Sequence, residues 1–315
     1  MPQYVYSPYY RVDIGPHVFP TAKYDLLRQR LIDEFNLQEN NFVEPEPASI
    51  DQILRVHTSR YYAACRDNKL TLDEQRRLEL PWSTQLFDAA TRCVGGSIMA
   101  ARLALDFGVG LHVGGGFHHA FADHGEGFCV FNDTACAIRQ MQAERRVKRA
   151  MVVDVDLHQG NGTSAIFTND ESVATFSIHQ ECLYPYPKPP STVDVGLDAG
   201  TDDATYLNLL ETHLLPLVDS HDPDLVVYVA GADPYRYDQL GALNLTIDGL
   251  RARDQFVCGL CRNRRLPLAV VLAGGYAKNT EDTVQIHLGT LQEAALLWHE
   301  NANDLISTAI RGRNE

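Results

Sequence analysis

Asp154, Asp156 and His158 stand two residues apart, directly after the apolar run Met151-Val152-Val153 and just before Gly160-Asn161-Gly162. In an extended chain, residues two apart share a face, so these three side chains point the same way where a strand ends. Carboxylate with imidazole is a donor set that zinc and other first-row divalent ions accept. Buried together without a partner they would be very costly, so the stretch either holds a cation or is an edge loop with solvated acids. Four more clusters carry chemistry-capable residues: Gly114-Gly115-Gly116-Phe117-His118-His119-Ala120, Ser177-Ile178-His179, Ala230-Gly231-Ala232-Asp233 and Gly274-Gly275-Tyr276. Each alone has an ordinary explanation. Paired histidines occur in cores, an aspartate can cap the turn after a strand, and glycines can serve only the turn.

What precedes each cluster changes that reading. Apolar, strand-like runs occupy residues 110–113, 150–155, 173–178, 225–230 and 268–273, and each leads into one of the five clusters. Helical patterns fall between most of them, at 133–146, 204–218 and 248–262. Upstream, helical patterns cover 23–35, about 49–65, and a long segment from the N-cap Ser83 to Gly108. Closing helices are expected from Thr280 to about Ile310, then a basic frayed tail at Arg311-Gly312-Arg313. Strand–helix alternation with uncharged, β-branched strands predicts an α/β fold whose parallel sheet is covered on both faces. In such a sheet all five clusters meet at the carboxyl edge, where α/β folds bind ligands. A length of 315 residues alone suggests two domains, but one shared site requires one, spanning 1–315.

A formal net charge of −14 argues against nucleic acid or an anionic membrane as a partner. Met1-Pro2-Gln3-Tyr4 does not open a signal peptide, and no apolar run approaches the roughly 20 residues of a membrane span. Seven cysteines, an odd number scattered through apolar segments, suit a reducing compartment, so a cytoplasmic location is expected. Cys258-Gly259-Leu260-Cys261 has metal or redox spacing but lies in a helical pattern with no second pair, which favours a structural role. There is no Gly-x-Ser-x-Gly elbow and no phosphate-binding loop. The stretch Tyr184-Pro185-Tyr186-Pro187-Lys188-Pro189-Pro190 reads either as a surface turn or as a stiff pocket rim.

Gly115-Gly116-Phe117-His118-His119-Ala120, Gly127-Phe128-Cys129-Val130-Phe131-Asn132-Asp133, Asp154-Val155-Asp156-Leu157-His158, Gly231-Ala232-Asp233 and Gly274-Gly275-Tyr276 resemble the zinc-dependent histone deacetylases in order and spacing. The Gly160-Asn161-Gly162 ending and the short length look most like the class IV branch and the bacterial histone deacetylase-like amidohydrolases. The resemblance implies the arginase–deacetylase fold, three α/β/α layers around a mainly parallel eight-stranded sheet. It implies Asp156, His158 and Asp233 as zinc ligands, with Fe2+ or Co2+ as alternatives, and a structural K+ or Na+ at Asp154, Asp156, His158, Ser177 and the backbone at Ile178. His118 and His119 would be the acid–base pair, backed by Asp154 and Asn161, and Tyr276 would donate to the substrate carbonyl. Phe128 and Tyr184 would wall the tunnel, with Gly116 and Gly275 also touching substrate. The implied substrate is an acylated lysine, acetyl or longer fatty acyl, or a small acylated amine such as an acetylpolyamine.

Asn161 departs from the aspartate that many members carry, and a neutral amide supports an imidazolium less well. Pro234-Tyr235-Arg236-Tyr237-Asp238, after Asp233, is a local rim sequence. An arginase-like dimanganese site would need Asp-x-His-x-Asp, but Gly160 takes the last place. A catalytically silent acyl-lysine binder is the rival from another class. The oligomeric state stays open.

Overall fold

The computed structural model describes residues 2–311, with side chains described through Trp298. The tail expected at Gly312 and Arg313 lies outside the described residues. Eight strands form one sheet: β1 (Tyr4–Val5), β2 (Phe42–Val43), β3 (Val109–His112), β4 (Ala150–Asp154), β5 (Val173–Gln180), β6 (Val193–Leu197), β7 (Leu225–Val229) and β8 (Leu268–Val271). Their order is β2-β1-β3-β8-β7-β4-β5-β6, and every pairing is parallel. The expected sheet was mainly parallel; it is wholly so.

The helices are α1 (Lys23–Phe35), α2 (Ile50–Ile53), α3 (Ser59–Arg66), α4 (Leu72–Leu78), α5 (Thr84–Phe107), α6 (Asp133–Ala143), α7 (Asn161–Phe167), α8 (Asp203–His221), α9 (Ile247–Arg264) and α10 (Thr280–Arg311). They pack in two groups, α5–α6–α7 and α1–α10–α9–α8. Strand β3 touches α5 and α10, and β5 touches α7 and α8, one helix from each group. A strand has two faces, so the sheet is covered on both, and β3, β4, β7 and β8 are buried throughout. That double burial explains their unbroken apolar sequence.

Local differences from the sequence reading have local causes. The helix expected over 49–65 is two, because the Thr58 side chain accepts from Tyr61 N–H and starts α3 afresh. The closing helices are one, α10. Strand β6 was overlooked: it follows two prolines and buries only Val195 and Leu197, the alternation of an edge strand. Helices α4 and α7 are each only 7 residues, too short for periodicity to announce. Ser83 and Gly108 cap α5 as expected, the glycine at a φ of +87°.

Helix α5 lies so close on β3 that a Cβ at Gly110 would sit 1.8 Å from the Ala100 carbonyl oxygen. Gly110→Ala should therefore destabilise the protein by about 1–3 kcal/mol or more. Gly259, inside α9 with nothing within 4 Å of its would-be Cβ, is the opposite case. Gly259→Ala should stabilise by about 0.5–1 kcal/mol, and urea midpoints read both changes.

Candidate active site

Four adjacent strands, β3, β8, β7 and β4, deliver the cluster at their carboxyl ends. Strand β4 ends on Asp154, and beyond it each acid caps the chain two residues on: Asp156 N–H donates to Asp154 Oδ1 at 3.1 Å, and His158 N–H to Asp156 Oδ1 at 2.9 Å. Neighbouring strand ends are tied the same way. Gly274 N–H donates to Asp156 Oδ2 at 2.8 Å, and Leu157 N–H to Asp233 Oδ1 at 3.0 Å. Gly274 is glycine because a Cβ there would fall 2.3 Å from Asp233 Oδ2.

Asp156, His158 and Asp233 are buried, and one donor atom from each lies within 4.8 Å of the others. His158 Nδ1 faces Asp156 Oδ1 and Asp233 Oδ2, each at 3.2 Å. Asp233 Oδ2 is buried without a hydrogen-bond partner. Burial works against a charge on His158, yet the two carboxylates outweigh it and raise its pKa to about 10. That excess of buried negative charge is what a divalent cation neutralises, and two carboxylate oxygens with one imidazole nitrogen fit such an ion.

Beside this trio, the rings of His118 and His119 lie 4.1 Å apart between centroids. His118 Nδ1 bonds Asp154 Oδ2 at 2.7 Å, and His119 Nδ1 bonds Asn161 Oδ1 at 2.7 Å. Burial opposes charge on both rings, but Asp154 and Asp156 carry His118 up to about 9. His119 is held well below the usual histidine value by burial and by the neighbouring His118 and His158. The surroundings thus favour charge on His118 and disfavour it on His119.

A funnel leads to this floor. Its outer part, about 180 Å3, is lined by Glu79, His119, Gly127, Phe128, His158, Leu183, Tyr184, Leu240 and Tyr276. A smaller inner part adds Gly116, His118, Asp156 and Gly274. Phe128 is half-buried and stacks on Phe19. Opposite, the Tyr184 ring lies 5.0 Å from His119, so the proline-rich stretch supplies a wall as well as an exposed turn at Tyr186. Tyr276 is buried, its hydroxyl held far above the ordinary range by burial and by Asp233 and Asp156. Gly116 lines the inner part, but Gly275 lines neither, and Gly274 stands there instead. A Cβ at Gly275 would face Thr283 and His287. Ser177 sits opposite Asp154 in the β4–β5 register, its hydroxyl 2.9 Å from His179 Nδ1, and Ile178 follows it. Cys258 and Cys261 are buried free thiols in α9, raised by burial and so kept protonated.

Several supports escaped the sequence reading. Asp133 receives Gly116 N–H and Phe117 N–H, fixing the glycine turn before the histidines. Asp238 receives Tyr276 N–H at 2.7 Å. Lys23, fully buried, donates to the Ala273 carbonyl at 2.8 Å below Tyr276. Glu126 receives Asn161 Nδ2 and the Tyr184 hydroxyl, both at 2.8 Å. The only sequence signal for Glu126 is an acid between two glycines ahead of Phe128.

Residues 17–291 match the model of the histone deacetylase domain. The chain belongs to the histone deacetylase family. It is 40% identical over 284 residues to an uncharacterized protein of Picosynechococcus sp., covering 90% of this chain and 95% of that one. Histone deacetylase 2 of Arabidopsis thaliana is 30% identical over 298 residues, 89% of this chain and 75% of the relative. The acetoin utilization protein AcuC of Bacillus subtilis is 31% identical over 274 residues, 78% and 69%. The crystal structure of the HDA15 HD domain superposes with a TM-score of 0.75 at 22% identity, over 97% of this chain and 95% of that one. The shared architecture is the arginase–deacetylase fold.

The turn before α6 depends on an uncharged histidine. His57 Nε2 accepts Asn132 N–H at 3.0 Å, and burial lowers its pKa to about 4. The unfolded chain, titrating near 6.5, binds the proton first on acidification, so this contribution is intact above about pH 6.5 and is lost as pH falls towards 4. Urea midpoints across that window should show a slope of roughly 1 kcal/mol per pH unit from this group, absent in His57→Gln.

Proposed function

We propose that residues 1–315 form one catalytic domain of a zinc-dependent amidohydrolase that removes an acyl group, acetyl or longer, from a lysine side chain. The observation that carries this reading is the buried Asp156–His158–Asp233 trio, whose Asp233 Oδ2 lacks a hydrogen-bond partner, at the floor of an aromatic-walled funnel beside two histidines backed one by a carboxylate and one by an amide. The family match and the name of the Arabidopsis relative support deacetylation.

Asp156, His158 and Asp233 hold the ion. Bound there, Zn2+, or Fe2+ or Co2+ in its place, would supply Lewis acidity to the amide carbonyl and would lower the pKa of water towards neutrality. His119, neutral and with Nδ1 engaged by Asn161, takes the proton of the attacking water at Nε2 and returns it to the leaving amine. His118, charged and anchored on Asp154, stabilises the negative charge that develops. Tyr276, whose burial keeps its hydroxyl protonated, donates to the carbonyl oxygen. Phe128 and Tyr184 clasp the apolar stem of the lysine, Gly116 and Gly274 leave room for it, and Gly275 acts through the turn that presents Tyr276. Asp154, Asp156, His158, Ser177 and the backbone at Ile178 would hold a structural K+ or Na+. Seven free cysteines, six of them buried, favour a cytoplasmic setting. No helix among the described residues is long and apolar enough to cross a membrane. Asn161 between Gly160 and Gly162 favours the class IV branch.

A small acylated amine is the second reading. Glu79 lines the outer funnel and is the one ionisable carboxylate there, well placed for a second ammonium of an acetylpolyamine.

Zinc-loaded protein should hydrolyse fluorogenic acyl-lysine peptides, and a hydroxamate chelator should stop it. Comparing acetyl with longer chains and with acetylated polyamines identifies the substrate. Tyr276→Phe should retain hydroxamate binding while kcat drops about 100- to 1,000-fold. Absence of hydrolysis across the whole series, with zinc, iron and cobalt each supplied, refutes the reading.

A further inference from the structure

Behind the second histidine this chain has the neutral amide Asn161, and a carboxylate stands one hydrogen bond further out. Glu126 Oε1 accepts from Asn161 Nδ2 and from the Tyr184 hydroxyl, each at 2.8 Å, and Glu126 Oε2 faces His124 Nε2 at 3.6 Å. Its backbone exchanges hydrogen bonds with Cys129, closing the tight turn that carries Phe128. The geometry points to Glu126 as a positioning residue that sets the tautomer of His119 through Asn161 and holds the Tyr184 wall on the same oxygen. The inference rests on the assignment of His119 as the base.

An ionised carboxylate only accepts hydrogen bonds. Asn161 must therefore turn its NH2 to Glu126 and its Oδ1 to His119. Gly162 N–H, donating to the same Oδ1 at 3.0 Å, requires the same orientation independently. An acceptor facing His119 Nδ1 keeps the proton on that nitrogen and leaves the Nε2 lone pair for the funnel. Burial would raise Glu126, but its donors His124, Tyr184 and Asn161 hold it below the ordinary range, so the acceptor role persists at neutral pH. An aspartate at 161 would instead set two carboxylates face to face where the 2.8 Å bond now is. Asn161 and Glu126 are thus matched: the amide is neutral because the charge sits at the next position.

The match is testable by reversal in the zinc-loaded full chain. Asn161→Asp should lower kcat about 10- to 100-fold, and adding Glu126→Gln should recover most of the loss, because the glutamine NH2 can donate to the new carboxylate. Recovery of kcat by a second substitution is not expected of a merely structural residue. A double variant no faster than Asn161→Asp, or Asn161→Asp as fast as wild type, overturns the inference. Should Asn161→Asp fail to melt cooperatively, Glu126→Ala and Glu126→Gln decide: kcat should fall about tenfold or more in the alanine variant and return to within about threefold in the glutamine variant, whose carbonyl still accepts. Wild-type kcat in Glu126→Ala overturns it. His119→Ala separates the two layers. An active His119→Ala removes the base assignment itself, whereas an inactive one beside an additive Glu126–Asn161 cycle removes only the Glu126 role.

Discussion

A buried carboxylate survives only when both of its oxygens are answered, and that constraint organises this molecule. Six aspartates are buried among the described residues: Asp133, Asp154, Asp156, Asp233, Asp238 and Asp254. Asp254 is met by Arg253, Tyr228 and Thr290, and Arg253 in turn donates to the Gly231 carbonyl just before Asp233. Asp133 takes Ser97 and two backbone N–H groups, and Asp238 takes those of Leu240 and Tyr276. Asp154 has His118 and Asp156 N–H, and Asp156 has His158 N–H and Gly274 N–H. Asp233 breaks the pattern: Oδ1 takes Leu157 N–H, while Oδ2 has no hydrogen-bond partner and only His158 Nδ1 facing it at 3.2 Å. A fold that satisfies the other five so fully leaves the sixth open for something the chain does not supply.

The same constraint divides the histidines. Two imidazolium ions with centroids 4.1 Å apart would repel strongly in a dry site, so only one ring can be charged. Which one is decided by the partner behind it, a carboxylate for His118 and an amide for His119. Asn161, being neutral, supports charge on His119 less than a carboxylate would and so leaves the asymmetry in place. Glu126 keeps a negative charge within reach without placing it against the ring.

Much of this was legible in the sequence because it rests on strands with strong signatures. Valine- and leucine-rich runs ending in Val155, Ala230 and Ala273 announce buried parallel strands, and polar residues at such ends announce a site. The clusters holding the trio, the histidine pair and Tyr276 were read that way and do converge, whereas Phe128 and Tyr184 came only from the family resemblance. Hidden from the sequence was whatever depends on a single long-range contact. Lys23 sits 250 residues from the Ala273 carbonyl it meets, and Glu126 meets Asn161 across 35. Lys23 opens the 23–35 helical pattern and Glu126 lies in a turn, but a lone lysine or glutamate is by default a solvated surface residue. The edge strand β6 and the short helices were hidden for the related reason that few residues carry each signal.

Lys23 also explains why the amino-terminal segment, outside the central strands, belongs to the site. Burial lowers its pKa to about 8 even though Asp233, Asp156 and Asp238 favour its charge. Its ammonium lies against the rings of Phe19, Tyr24 and Tyr276, with the Ala273 carbonyl as its hydrogen-bond acceptor. Phe19 in turn stacks on Phe128, the funnel wall. One segment from His17 to Tyr24 thus supplies backing for the wall, a floor under the tyrosine and a cation beneath the aspartates. Truncating it would leave the trio's net negative charge with less to offset it inside the protein. The carboxyl edge of the sheet brings the site's polar groups together, but part of their negative charge is offset from a helix that the sheet alone would not require.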